Sequence, residues 1–182
     1  TEVILAPLKR VFKLPPPPLK SSISNPRRYG AIFANIGRNY FAAYHSLVEV
    51  GQIDPSNSIS TNASKIVLVT GASGGVGMAT IELAKAMGCI VVAGVGSPSK
   101  ISGPESVGAD AVFCYGRSKP GRKAFRKQVT TFCKTQHARG VDLVVDVVMG
   151  DLFQDALVGC LKPLGTIALV GFAAGQRPIK PG

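Results

Sequence analysis

The sequence predicts a doubly wound α/β domain built on a parallel sheet. Apolar runs of strand type recur from Lys65 onward, and segments able to form helices separate them. The first run breaks into glycines before a helical pattern resumes, in "VLVTGASGGVGMATIELAKAMG", Val67 to Gly88. Strand and helix alternating in this way require right-handed crossovers between parallel strands, with helices covering both faces of the sheet. A chain of 182 residues, 46% hydrophobic, is long and apolar enough to bury one good core.

The opening "TEVILAPLKRVFKLPPPP" reads as a short strand, a turn and a strand. Pro15 to Pro18 close it, because proline continues neither a ladder nor a helix. "LKSSISNPRRYG" is polar and irregular, a linker or a surface segment. These breaks give a unit at 1–18, a connection at 19–30 and the main domain at 31–182. From Ala31 to Val50 a helical period places Tyr40, Ala43, Tyr44, Leu47 and Val48 on one face, and Gly51 stops it. After the polar loop "DPSNSISTNAS", Lys65–Thr70 is a fully apolar strand of the buried parallel kind.

Beyond the glycine turn, Val76, Ala79, Leu83 and Met87 line one helical face, and "CIVVAGV" is the second strand. The next crossover, "SPSKISGPESVGAD", carries Gly103-Pro104 in its middle, so its helix is expected to be short or broken. "AVFCY" is a third strand, Arg122 to His137 a helix, "VDLVVDVV" a fourth strand, Asp151 to Leu161 a helix and "GTIALVGF" a fifth strand.

No apolar stretch approaches the roughly 20 residues a spanning helix needs, so no membrane association is expected. The start shows neither the basic region nor the apolar core of a secretion signal, and lacks an initiator Met, as if cut from something longer. Cys89, Cys114, Cys133 and Cys160 are widely spaced without a Cys-x-x-Cys pair, which points to a reducing, cytoplasmic setting without a structural zinc. Net charge is +11, and Tyr115 to Arg139 holds Arg117, Lys119, Arg122, Lys123, Arg126, Lys127, Lys134 and Arg139 with no acidic residue. That stretch reads as a solvated helix face. The alternatives are attraction of a polyanionic cofactor and weak RNA binding.

Glycines at a strand–helix turn let backbone N–H groups approach a pyrophosphate at a helix N-terminus, where unsatisfied donors and the helix dipole favour negative charge. The register nearest to G-x-G-x-x-G is Ala72-Ser73-Gly74-Gly75-Val76-Gly77, with Ala72 in the first glycine's place. No Gly-Lys-Ser/Thr follows, so this is not a triphosphate loop. Ser73 lies between Gly71 and Gly75 and so also fits the letters of a nucleophile elbow. A hydrolase would then have to draw on Asp110 as the acid and on His137, the only histidine after the serine.

Enzymes for NAD place a carboxylate at the end of the second strand to accept from the ribose 2′-OH. Here the strand ends Val95-Gly96-Ser97-Pro98-Ser99-Lys100. With no carboxylate, and with a hydroxyl at Ser97 and an ammonium at Lys100, NADPH is the expected cofactor. Lys100 as an ordinary solvated lysine is the alternative.

"NYFAAYHSLVEVGQI", "KIVLVTGASGGVGMATIELAKAMGCIVVAGVGSPSK", "VGADAVFCY" and "GVDLVVDVVMGDLFQDALVGCLKPLGTIALVGFAAG" together resemble the medium-chain dehydrogenase/reductase superfamily, in particular its zinc-free quinone oxidoreductase, or zeta-crystallin-like, branch. The resemblance implies a Rossmann fold preceded by a remnant of a GroES-like catalytic domain, with most of that domain missing. It implies a pyrophosphate turn at Gly74, Gly75, Val76 and Gly77, with Ser97, Lys100 and Tyr115 at the 2′-phosphate. Phe172 and Ala173 would line the nicotinamide, as would the loop Val147 to Gly150. Tyr115 as a strand-end aromatic packed on the sheet is the alternative. Ala42 departs from the threonine frequent in the family and puts one carboxamide contact in doubt.

The activity this implies is hydride transfer from NADPH to a quinone, enone or other carbonyl acceptor, with no metal and no catalytic residue assigned within the chain. A homodimer through the fifth strand's edge is expected, and nucleic acid is not an expected partner. Rival readings are a zinc-dependent alcohol dehydrogenase relative, a non-enzymatic nucleotide- or RNA-binding protein, and the hydrolase built on Ser73.

Overall fold

Five apolar runs form one parallel sheet in a computed structural model of the chain, which describes residues 34–55 and 62–176. The strands are β1 (Ile66–Val69), β2 (Ile90–Val95), β3 (Ala111–Cys114), β4 (Val141–Asp146) and β5 (Leu161–Leu169), in the spatial order β3-β2-β1-β4-β5. The chain moves outward from β1 to β3 and then returns to the other side of β1 with β4. That reversal opens a crevice past the carboxyl ends of β1 and β4, the place where open α/β sheets bind ligands. The doubly wound class read from the sequence holds. The strand pair and connection expected over residues 1–30 lie outside the described residues.

Among the described residues, five helices pack around the sheet. Helix α1 runs through Ile36–Tyr40, Phe41–Tyr44 and His45–Val50, α2 is Gly75–Ala86 and α3 is Ser102–Ser106. Helix α4 is Lys119–Thr135, and α5 runs from Gly150–Leu152 through Phe153–Leu157 to Val158–Cys160. Because side chains alternate along a strand, each central strand feeds two cores. Val67, Val69, Val91, Ala93, Leu143 and Val145 point to one side, where they meet α1 and α2 through Leu47, Ile81 and Ala84. Ile66, Leu68, Val92 and Val144 point to the other side and meet α4 and α5. Each such fully buried aliphatic side chain contributes roughly 1.5–3 kcal/mol. Between β2 and β3, a 3₁₀ turn at Pro98–Lys100 leads to the five-residue α3. This is the short crossover the sequence predicts, with Pro104 in the first turn, where its missing N–H costs no helical bond.

Several details differ from expectation. In α1 the terminal segments are wound as π-helix, which re-phases the stripe: Ala43, Ser46 and Leu47 are buried while Tyr44 is 41% exposed. The Ser46 hydroxyl satisfies itself on the Ala42 carbonyl at 2.7 Å. In α2 the buried face centres on Gly77, Thr80, Ile81 and Ala84, and Val76 and Leu83 are only half-buried on its flank. Helix α4 begins at Lys119 rather than Arg122, because Ser118 caps it by accepting from the Gly121 N–H at 3.2 Å and Pro120 fits the first turn. Strand β5 begins at Leu161, before the run expected, and its pairing with β4 shifts register between Val141 and Leu143.

The four cysteines are free thiols. Burial in apolar surroundings pushes Cys89 and Cys133 up to about 11 and Cys160 up to about 12, so all three stay protonated at neutral pH. No helix among the described residues is long and apolar enough to cross a membrane.

Candidate functional site

The glycine turn sits at the end of β1 and is shaped by close backbone approach. Gly71 has φ +57°, the left-handed region that favours glycine. It therefore makes the sharp turn one residue before the position read as the first glycine of the motif. Ala72 can then stand where it does: it is buried, with its N–H on the Gly94 carbonyl at 3.1 Å. A Cβ on Gly77 would lie 2.6 Å from the Gly71 carbonyl oxygen and 2.7 Å from Ala72 Cα, so only glycine lets α2 press this tightly on the turn. Gly74 caps α2 and accepts from the Met78 N–H at 2.8 Å. The N–H groups of Gly75, Val76 and Gly77 precede the helix's own bonding ladder, as first-turn donors do.

The turn opens into a cleft of about 800 Å³. Along one wall it meets Gly96, Ser97 and Lys100 at the end of β2, then Tyr115, Gly116 and Arg117 after β3. Ser97 and Ser99 hydroxyls lie 3.0 Å apart. Lys100 is exposed in the 3₁₀ turn. Tyr115 stacks edge-on against Phe125 at 5.8 Å and 85° while its hydroxyl reaches toward Gly96. One side chain thus both packs on the sheet and faces the cleft. Burial, and then the Asp146 charge, raise its phenol above the usual range, so it remains a hydrogen-bond donor.

The opposite wall is Val147, Val148 and Met149 after β4, with Ala173 and Ala174 after β5. Fully buried Asp146 holds it in place: its carboxylate accepts from the Thr70 hydroxyl, from the Val148 N–H at 2.9 Å and from the Met149 N–H at 3.1 Å. Thr70 Oγ1 in turn accepts from the Val147 N–H at 3.3 Å. The Ala174 N–H bonds the Val148 carbonyl at 2.9 Å, so the two loops continue the β4–β5 pairing beyond the sheet.

Of the residues singled out from sequence, Gly74, Ser97, Lys100, Tyr115 and Ala173 converge on this cleft. Gly77 is buried beneath the turn and Val76 lies half-buried in α2. Phe172 is not among the lining residues: its side chain is 48% exposed, and Ala174 takes a place beside Ala173 instead. Sequence reasoning missed Asn39, whose amide lies against Gly75 from α1, and the trio Asp146, Arg122 and Asp151. A carboxylate closing an otherwise apolar strand was the one available signal for Asp146. The others depend on contacts between distant segments.

The hydrolase reading fails on topology. Ser73 follows the carboxyl end of β1, whereas Asp110 immediately precedes β3 and His137 lies between α4 and β4, at the opposite edge of a parallel sheet. Asp110 is moreover held by Lys85 at 2.7 Å and by the Val91 N–H at 2.7 Å.

Residues 75–182 match the family model described as zinc-binding dehydrogenase. The chain is 33% identical over 146 residues to prostaglandin reductase-3 of Mus musculus, covering 77% of this chain and 34% of that protein. To a quinone oxidoreductase-like protein 2 homolog of Nematostella vectensis it is 29% identical over 148 residues, covering 81% of this chain and 36% of that one. Among solved structures it superposes on the quinone oxidoreductase of Thermus thermophilus, whose structures include a complex with NADPH, with TM-score 0.57 and 26% identity over 81% of this chain and 40% of that chain. The chain thus spans about a third of the length of these curated relatives. Among the described residues no three His, Cys, Asp or Glu side chains gather as a metal site. By its matched motif region, its sheet order and its glycine turn, the chain belongs to the zinc-binding dehydrogenase family of the medium-chain dehydrogenase/reductase superfamily, alongside the quinone oxidoreductase-like members of the zinc-free branch.

Proposed function

We propose that this chain is the NADPH-binding portion of a reductase that passes hydride to a quinone, an enone or another conjugated carbonyl. The observation that carries it is a single cleft joining the glycine turn to Ser97, Lys100 and Tyr115, with no carboxylate at the end of β2. The glycine cradle fits a diphosphate, because Gly74 borders the cleft without a side chain and Gly77 lets the first turn of α2 press close beneath it. Gly74, Gly75, Val76 and Gly77 would hold that diphosphate. Ser97, Lys100 and the neutral Tyr115 hydroxyl would hold the 2′-phosphate. The nicotinamide would lie toward Val147–Met149 and Ala173–Ala174.

When bound, the cofactor supplies the hydride. The chain's own work is orientation and exclusion of water, and the backbone ties between the loops after β4 and β5 keep that wall rigid. The names of the relatives, prostaglandin reductase-3 and quinone oxidoreductase-like, support a reductase of this kind. Residues 31–182 would form the nucleotide domain and 1–18 part of a second one. A homodimer would form along the open edge of β5, where Leu164 and Leu169 are exposed.

Calorimetric titration with NADPH and NADH tests the reading. NADPH is expected to bind at least tenfold more tightly, and Lys100→Ala is expected to erase that preference. Equal affinities in the unaltered chain would overturn it.

A further inference from the structure

Arg122 stands in the basic stretch, yet it is unlike its neighbours there. Lys119, Lys123 and Lys127 on α4 are exposed, whereas the Arg122 side chain is only 11% exposed. Its guanidinium reaches three residues in two segments at once. Nη1 donates to the Arg117 carbonyl in the turn after β3, Nε donates to Asp155 of α5 at 2.8 Å, and Nη2 lies 3.6 Å from Asp151 at the start of α5. Arg117, Arg122 and Asp151 all line the cleft, together with Leu152.

The two elements so joined are not covalent neighbours: β4 and the whole of α4 separate the Arg117 turn from α5. We infer that Arg122 is a positioning residue for the adenosine end of the cleft, clamping the turn Tyr115–Arg117 to α5 so that the pocket is open at the right width before the nucleotide arrives. Bidentate and forked donation is what a guanidinium does and an ammonium cannot. Fixing the two walls in advance removes an ordering cost from binding.

This inference rests on the nucleotide reading above, and its sign separates it from simple charge attraction. Asp155→Asn removes a negative charge near the cleft, which by electrostatics alone would tighten the binding of any phosphate ligand. Loss of the clamp predicts the opposite.

The test titrates the full chain with adenosine 2′,5′-bisphosphate, which occupies only the adenosine end, and with reduced nicotinamide mononucleotide, which occupies only the other. Asp155→Asn and Arg122→Lys are each expected to weaken the bisphosphate about tenfold and to leave the mononucleotide within twofold, with the melting transition still cooperative. An unchanged or tighter bisphosphate in Asp155→Asn overturns the clamp, as does an equal loss for both ligands. Should Arg122→Lys fail to fold, the near-isosteric Asp155→Asn decides alone. If the unaltered chain does not bind the bisphosphate at all, the nucleotide reading itself fails, a result distinct from failure of the clamp.

Discussion

The two edges of the sheet are built from the same residue types and end in opposite states. At the edge where strands begin, acids are matched within the protein: Asp110 takes Lys85 and the Val91 N–H, and Asp142 takes Lys162 and the Ile66 N–H. At the edge where strands end, the chain turns on glycines, and cationic side chains at Lys100 and Arg117 face a cleft. One edge is closed by satisfying itself. The other turns donors toward a cleft, and its sole fully buried carboxylate among the described residues, Asp146, is spent on holding loops in place.

The sharpest break in this contrast is Gly77→Ala. The new methyl would meet backbone atoms of Gly71 and Ala72 that cannot rotate away. A loss of about 3 kcal/mol in urea unfolding is expected, together with loss of nucleotide binding. Next is Asp146→Asn, which turns an amide NH₂ toward donors that need an acceptor. A loss of about 2 kcal/mol is expected, and calorimetry should show NADPH weakened about tenfold as the wall at Val147–Met149 loosens. Lys100→Ala touches only the open edge: NADPH affinity should fall about tenfold, about 1.4 kcal/mol, with the unfolding midpoint unmoved.

At the closed edge, Lys85→Met removes a partly exposed pair whose side chains are 32% and 35% exposed. A change under about 1 kcal/mol and no change in nucleotide affinity are expected. A clear effect on binding there would dissolve the distinction between the edges. The smallest effect concerns the thiols. At neutral pH an aromatic disulfide reagent should modify only half-buried Cys114 in the folded chain, and all four cysteines after urea unfolding. The raised thiols also set a sign for pH. Unfolded Cys89 and Cys133 would release protons from about pH 9 while the folded ones hold theirs to about 11, so their stability contribution is complete below 9 and declines as pH rises through 11.

Most of the architecture was legible because it follows local rules. A run such as Ile66-Val-Leu-Val69 has no polar face and must be covered on both sides. Gly103-Pro104 shortens a helix wherever it falls. The glycine turn, Ser97 and Lys100 were legible too, since strand ends and missing carboxylates can be read along the chain. Less legible was the phase of α1, where π-helical turns carry Tyr44 outward and Ser46 inward. The outward course of Phe172 was not legible either, because a strand's last residues can leave the sheet in several directions.

By itself the sequence determined the alternation of strands and helices, the parallel sheet and the bare backbone at the glycine turn, because period, apolar content and glycine act within a few residues of one another. Only the tertiary structure decided which charges are available. Tyr115 to Arg139 contains no acid, and nothing local distinguishes Arg122 from Lys123. Its partners stand 29 and 33 positions later, at Asp151 and Asp155, and they come within reach only when β4 carries the chain back across the sheet. A charge becomes structural or available according to what folding brings to within about 4 Å of it, and that distance is not written in the order of the residues.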